Sequence, residues 1–407
     1  MDYNGKRDYL KEYNVFNIVL FIWILFLPVK NTVYQISTIL MIVFLFVHLY
    51  RHKTHQLLFQ LIGKTKDIFI ALLIVMLCMF ISSVLGLSPL ENIIDLVKFF
   101  YRYVLLLVIL LYFYYFEFFS KKRFLSMIII TLSIYCLDGL YQYFTHYDLF
   151  LALPLSGHGL TGPMFNRNIF GFIMAINTSI LFYILMEKYS HTSRLSLIGL
   201  IILFFVHFFT LAHSMSRASW LFFGIFFFLY TMTNIKKILS TKLFIVSIIC
   251  LITISVFLFN SDPHLKQRLY LLIAGADSNR FRIWASALPL IESKFFFGYG
   301  VGSFAKALGT TKAGMHNFVL EILLFLGIFG LMAYSYLLWI VFKTIYLIKQ
   351  FYLGFFLIAF LTLLQFDGSL VNSKLDVSVF IIILFFVYSH VIGSKTTYTH
   401  QAKVSSK

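Results

Sequence analysis

Four side chains in the second half of the chain have the types and spacing to move a phosphorylated group: Arg217, Arg280, Arg282 and His316. A guanidinium is permanently charged and presents a planar fork of N–H donors that matches a phosphate. Placed where charge grows on a departing phosphate, such cations lower the barrier. An imidazole titrates near neutrality and is the commonest general base for an attacking hydroxyl. Arg217 lies in His213-Ser-Met-Ser-Arg217-Ala-Ser-Trp220, between two apolar runs with almost no loop. Held there, it either snorkels to phosphate headgroups or binds a particular anion. In Asn279-Arg280-Phe281-Arg282-Ile283-Trp284 and onward, Phe281, Trp284, Leu288 and Ile291 recur at helical spacing. That pattern predicts a short amphipathic helix on a membrane, and composition alone assigns its arginines to anionic lipid.

Three further places stand out. Gly162-Pro-Met-Phe-Asn166-Arg167-Asn168 reads as a turn followed by a helix start. Either the loop caps that helix, or Asn166, Arg167 or Asn168 contacts a polar ligand at the membrane surface. Gly298-Tyr-Gly-Val-Gly302-Ser-Phe304 is glycine-rich but lacks the strand–turn–helix setting of a nucleotide loop. Gly314-Met-His316-Asn317 opens a long apolar helix, which puts His316 at a helix entry with Asn317 beside it. Asp277 and Glu292 are isolated, and Asp262-Pro-His264 is too small a group for a metal. The expectation is a site with no metal and no cofactor, in which arginine takes the cation role.

The elements that must carry these residues are membrane spans. The 407 residues are 60% hydrophobic and only 12% charged, against about 25% charged in a soluble domain. A soluble fold of this length has no place for so much apolar surface, 50 phenylalanines included. Apolar runs of span length occur near 14–29, 33–50, 68–87, 96–118, 124–145, 168–187, 195–213, 217–233, 243–260, 317–342, 351–366 and 376–393. The fold class is therefore an all-α integral membrane protein of about twelve transmembrane helices. The first run lacks a small-residue cleavage site and reads as a retained anchor.

A net charge of +17 invites a nucleic-acid reading, but the basic residues fall in short clusters between spans. With both termini inside, every inside loop holds at least two basic residues and most outside loops hold one or none. The exception is the long outside segment 261–316, which carries short amphipathic helices and a basic cluster. All four chemical sites fall on that outer face. Cys78, Cys136 and Cys250 lie within apolar stretches and suggest no disulfide. The domain organisation is one membrane domain, 1–394, and a polar tail, 395–407, expected on the inside and disordered.

The order of these motifs resembles the O-antigen ligase and polymerase superfamily. Arg217 after a span, Arg280-x-x-x-Trp284, Pro289, Gly298-Tyr-Gly-Val-Gly-Ser-Phe304, His316-Asn317 and Gly327-Ile-Phe-Gly330 carry the resemblance, clearest over 160–335. It implies a glycosyltransferase of the Gram-negative bacterial inner membrane, with cytoplasmic termini and an active site facing the periplasm. The implied donor is a glycan on undecaprenyl pyrophosphate, and in the ligase branch the acceptor is lipid A–core. His316 would activate the acceptor hydroxyl and Arg217 and Arg280 would hold the pyrophosphate. Arg282, Asn166, Asn168 and Asn317 would line the donor or substrate site, and a single direct displacement would invert the anomeric carbon. Three positions depart from the family pattern: Asn279 stands where glycine is common, Arg282 where an acid is frequent, and Arg167 where proline is common.

Two alternatives stand beside the ligase reading. A polymerase joining carrier-linked repeat units needs the same donor chemistry. A polysaccharide flippase or transporter would instead place ionisable groups along a path in the bilayer, for which Asp95, Lys98, Arg102, Asp138, His207 and Glu321 are the candidates. Asp367, Lys374 and Asp376 flank the last outside loop.

Overall fold

The computed structural model describes residues 3–29, 31–155, 157–188, 193–235, 253, 256, 259–276, 280–307, 309, 314–371 and 373–393. Among them the regular structure is helical, and the one β-bridge, Tyr147 with Pro154, is isolated. Seven helices are long and apolar enough to cross a membrane: Asn31–His52, Lys66–Leu85, Lys121–Thr145, Arg167–Glu187, Arg194–His213, Phe318–Leu347 and Lys374–Ile392. Shorter apolar helices cover Glu12–Phe26, Arg217–Thr233 and Phe351–Asp367. The run near 96–118 is built from helices Pro89–Phe99 and Leu106–Tyr115, joined by a π turn at Phe100–Leu105. Most of the run near 243–260, Asn279 and the 395–407 tail lie outside the described residues. The chain is an all-α, multi-pass membrane protein. Its span helices show large apolar groups outward, with Leu73 64% and Phe46 59% exposed; lipid is the solvent for such faces.

The chain divides into two compact units. One comprises residues 1–127, 279–354 and 368–407, the other 128–278 and 355–367. In the first, helix Lys66–Leu85 packs along Phe318–Leu347 and helix Tyr3–Phe26 along Asn31–His52. Aromatic side chains fill the latter region: Phe16 lies 4.1 Å from Phe113, centroid to centroid, and His48 bonds the Tyr112 hydroxyl at 2.8 Å.

The Phe318–Leu347 helix is broken at Gly327, whose φ of 67° and ψ of −165° are not helical. The break frees backbone groups that the preceding glycine-rich segment takes up. Tyr299 N–H donates to Leu324 O at 2.8 Å, Gly300 N–H to Phe325 O at 3.0 Å, and Ile328 N–H to Phe295 O at 2.8 Å. A Cβ at Gly327 would lie 2.2 Å from Phe296 O, and one at Gly298 2.4 Å from Phe325 C. Glycine is therefore required at both positions by close backbone approach as well as by positive φ.

In the second unit, helix Arg167–Lys188 packs on both Arg194–His213 and Arg217–Thr233. Asn177 and His207 meet inside it at 2.7 Å. Gly171 is where the crossing is tightest: a Cβ there would fall 2.6 Å from Ser214 Oγ.

Candidate active site

In the second unit the chain reverses between Arg194–His213 and Arg217–Thr233 in three residues, with Met215 at φ 54°. This is the near-absent loop expected from the sequence, and it makes Arg217 the first residue of its helix. The Arg217 guanidinium donates from Nη1 to Leu271 O at 3.0 Å and to Ala276 O at 2.6 Å. Those carbonyls lie at and just beyond the C-terminal end of helix Pro263–Ile273, where the helix dipole and unpaired carbonyls favour a cation. Asp262 caps the other end of that helix, accepting from His264 N–H at 2.8 Å and Leu265 N–H at 3.3 Å. Arg268 and Arg217 act electrostatically on Arg167, and so does Asp367. Of these, Arg217 was singled out by sequence for catalysis.

The turn that leads into Arg167 is built from polar anchors. Gln142 Oε1 accepts from Thr161 N–H at 2.9 Å and Gly162 N–H at 3.0 Å, and Asp138 Oδ1 from Leu149 N–H at 2.6 Å. Asn166 uses its side-chain oxygen as a helix cap, accepting from Asn168 N–H at 2.8 Å and Ile169 N–H at 3.3 Å. Beside this turn lies a cavity of about 320 Å³ lined by Tyr143, His146, His158, His213, Asp262 and His264 among others. His158 and His264 stack at 3.6 Å, and His213 Nε2 stands 3.9 Å from Asp262 Oδ2. Sequence spacing gave no sign of this gathering, because its histidines come from separated segments.

In the first unit, Arg280 opens helix Arg280–Ser293, the helix predicted from apolar spacing. The helix buries Ala287 and Ile291 and leaves Phe281 61% and Leu288 50% exposed. Arg280 and Trp284 are one turn apart and share a face. The Trp284 indole N–H donates to Met315 O at 2.9 Å. Met315 is 1% exposed, and the next residue is His316, which is exposed and held at φ 50°. A left-handed backbone is uncommon for a residue other than glycine and persists only where its surroundings enforce it. Here the enforcement comes from Trp284 on one side and the helix Phe318–Leu347 on the other. Asn317 caps that helix through its side-chain oxygen, accepting from Leu320 N–H at 3.0 Å. Gly314 sits at φ 146°, and a Cβ there would approach His316 Nε2 to 3.1 Å and press the imidazole aside by a few tenths of an ångström. Arg282, two residues beyond Arg280, is exposed.

One unit therefore joins Arg280, through Trp284, to the segment bearing His316; Arg217 belongs to the other. The glycine-rich run has a structural use, since the amides of Tyr299 and Gly300 are spent on the broken helix. Among the described residues, one trio of potential metal ligands lies close together, Glu12, His48 and His52; there Glu12 pairs with Arg51 at 2.7 Å and with His52 at 3.2 Å.

Residues 198–335 match the family model described as O-antigen ligase. The matched stretch includes Arg217, Arg280, Arg282, His316 and Asn317, and leaves Asn166 and Asn168 outside. No curated protein matches the chain.

Proposed function

We propose, from the match of residues 198–335 to the O-antigen ligase family model, that the protein transfers a glycan from undecaprenyl pyrophosphate to a sugar hydroxyl of lipid A–core, on the periplasmic side of a Gram-negative inner membrane. The observation that carries this reading is the hydrogen bond from Trp284 to Met315, which ties the Arg280 helix to the residue preceding an exposed His316. In the proposed step the imidazole of His316 accepts the proton of the acceptor hydroxyl. The acceptor oxygen attacks the anomeric carbon as the bond from that carbon to the pyrophosphate oxygen breaks, and undecaprenyl pyrophosphate departs. The attack is in line with the leaving group, so the anomeric configuration inverts. Arg280 and Arg217 stabilise the charge that collects on the departing pyrophosphate, with no metal or cofactor assigned to the step. Arg282 is the adjacent donor contact. Asn166 and Asn317 support the site as helix caps, and Asn168 as the residue Asn166 holds.

The test is transfer by purified protein from a carrier-linked glycan to lipid A–core, wild type against His316→Ala. Loss of a general base lowers turnover by roughly 10²–10⁴-fold while donor binding persists. Turnover that survives the substitution sinks the assignment of His316. Lengthening of the carrier-linked glycan without lipid A–core modification replaces the ligase by the polymerase reaction on the same residues.

A further inference from the structure

Lys374 is the first residue of helix Lys374–Ile392, a helix long and apolar enough to cross a membrane. Its ammonium therefore stands where the apolar run begins, at the depth of lipid phosphates. Nζ is buried, lies 5.7 Å from the centroid of the Tyr34 ring, and has no hydrogen-bond partner among the described residues. The charged group acting on it is Arg102, a second cation. Arg102 comes from the π turn Phe100–Leu105, and its Nε is likewise buried without a partner among the described residues.

Most neighbouring polar groups are committed elsewhere, while Glu321 Oε2 is itself buried without a hydrogen-bond partner among the described residues. Lys98, one turn before Arg102, pairs with Asp95 at 2.7 Å. Asp376 accepts from Ser369 N–H at 2.9 Å, and the groups acting on Glu321 are Ser369 and Asp376. The Tyr34 hydroxyl bonds Ser378 at 3.0 Å, and the Tyr103 hydroxyl donates to Leu370 O. Among the described residues neither Arg102 nor Lys374 enters an ion pair. Two adjacent cations without a counter-charge, in a chain bathed in lipid, are held against both desolvation and mutual repulsion. An anion between them removes both penalties. A phosphate suits the pair: Arg offers the fork and Lys the point charge.

We infer that Arg102 and Lys374 form a subsite for the phosphate group of a membrane lipid, set in the first unit and separate from Arg280 and His316 in sequence and element. The π turn has a use in this assignment. Helix Lys374–Ile392 packs against this π turn, and Arg102 is carried on it. The subsite is defined by binding and holds whichever transfer reaction the protein performs.

The experiment titrates the full chain, purified in a phosphate-free detergent, with phosphatidylglycerol, with undecaprenyl phosphate and with dioleoylglycerol as the phosphate-free control. An Arg280→Gln background removes the proposed donor contact from the reading. Arg102→Gln and Lys374→Met are each expected to weaken binding of a phosphate-bearing lipid at least tenfold, with Arg102→Lys recovering part of the loss and dioleoylglycerol indifferent to all three. Tighter binding of undecaprenyl phosphate assigns the site to the carrier, and tighter binding of phosphatidylglycerol assigns it to the bilayer; either upholds the subsite. Equal affinity of wild type and variants for both lipids overturns it. A second measurement covers the case of poor folding. In lipid-free detergent, Lys374→Met relieves a like-charge contact and is expected to melt at or above the wild-type temperature. A much lower melting temperature would mean that the protein itself compensates Lys374, and would also overturn the subsite.

Discussion

Trp284→Phe isolates the contact on which the His316 geometry rests. Phenylalanine keeps a ring in place, including the edge-on packing against Phe281 at 5.3 Å, and removes only the indole N–H. Met315 O then loses its 2.9 Å donor at a residue 1% exposed. An unsatisfied buried acceptor costs about 1–3 kcal/mol. The segment 314–316 relieves that cost by moving toward a new donor, and it carries His316 with it. If the whole cost appears as loss of the reactive geometry, the barrier rises by the same amount and kcat falls roughly 5–150-fold. Arg280 lies one turn away on an unchanged helix, so the KM for the donor is expected to stay within about twofold, since ground-state contacts are kept. The assay is steady-state transfer with donor and acceptor varied separately, beside a melting curve showing that the variant is folded. Wild-type kcat in a folded variant would refute the claim that this hydrogen bond holds His316. A loss confined to KM would move Trp284 from positioning the base to binding the donor.

Other predictions concern stability and are read by thermal or chemical unfolding in detergent. Gly327→Ala must place a Cβ 2.2 Å from Phe296 O at φ 67°; strain of about 1–3 kcal/mol adds to the clash and lowers the melting temperature. Gly224→Ala, with nothing within 4 Å of its Cβ, is the control and is expected to stabilise its helix by about 0.5–1 kcal/mol. Asp262→Ala removes a cap worth about 0.5–2 kcal/mol, and hydrogen exchange of residues 263–273 is expected to quicken while helix Arg194–His213 keeps its protection. Asn317→Asp retains the capping oxygen that Leu320 N–H bonds, so stability is kept, whereas Asn317→Ala loses about 0.5–2 kcal/mol; equal melting of the two variants would contradict the cap.

Much of the architecture was legible because lipid imposes a simple rule: a span must be apolar for its whole length. Eleven of the twelve apolar runs coincide with described helices. Arg217 at a helix start and the helix over 280–293 were readable for the same reason, since a short polar interruption or a helical repeat is local information. What escaped was non-local. The glycine-rich run lacked the setting of a nucleotide loop, but its packing use was hidden: Gly298 lies against Phe325 at the helix break and Gly300 against Asn92. For Asn166 the sequence offered a helix cap beside a ligand contact, and its side-chain oxygen takes the cap; Asn317 caps its own helix in the same way. The cavity of His146, His158, His213 and His264 was invisible because no two of its histidines are close enough in sequence to form a motif. Arg102 was read in the sequence with Lys98 and Lys374 with the last outside loop, but more than two hundred residues separate them and nothing local paired them.

The bonds at Met315 and at Leu324 and Phe325 have a consequence for how this part of the chain tolerates change. Residues 284–299 and 315–324 are fastened to each other at both ends, once through Trp284 and once through Tyr299, so they make a closed ring with Arg280 just outside one fastening and His316 just inside. The spacing of the two segments is therefore set by those two bonds and not by the chain length between Gly300 and Gly314. Insertions or deletions between those two glycines are expected to leave the separation of Arg280 and His316 unchanged.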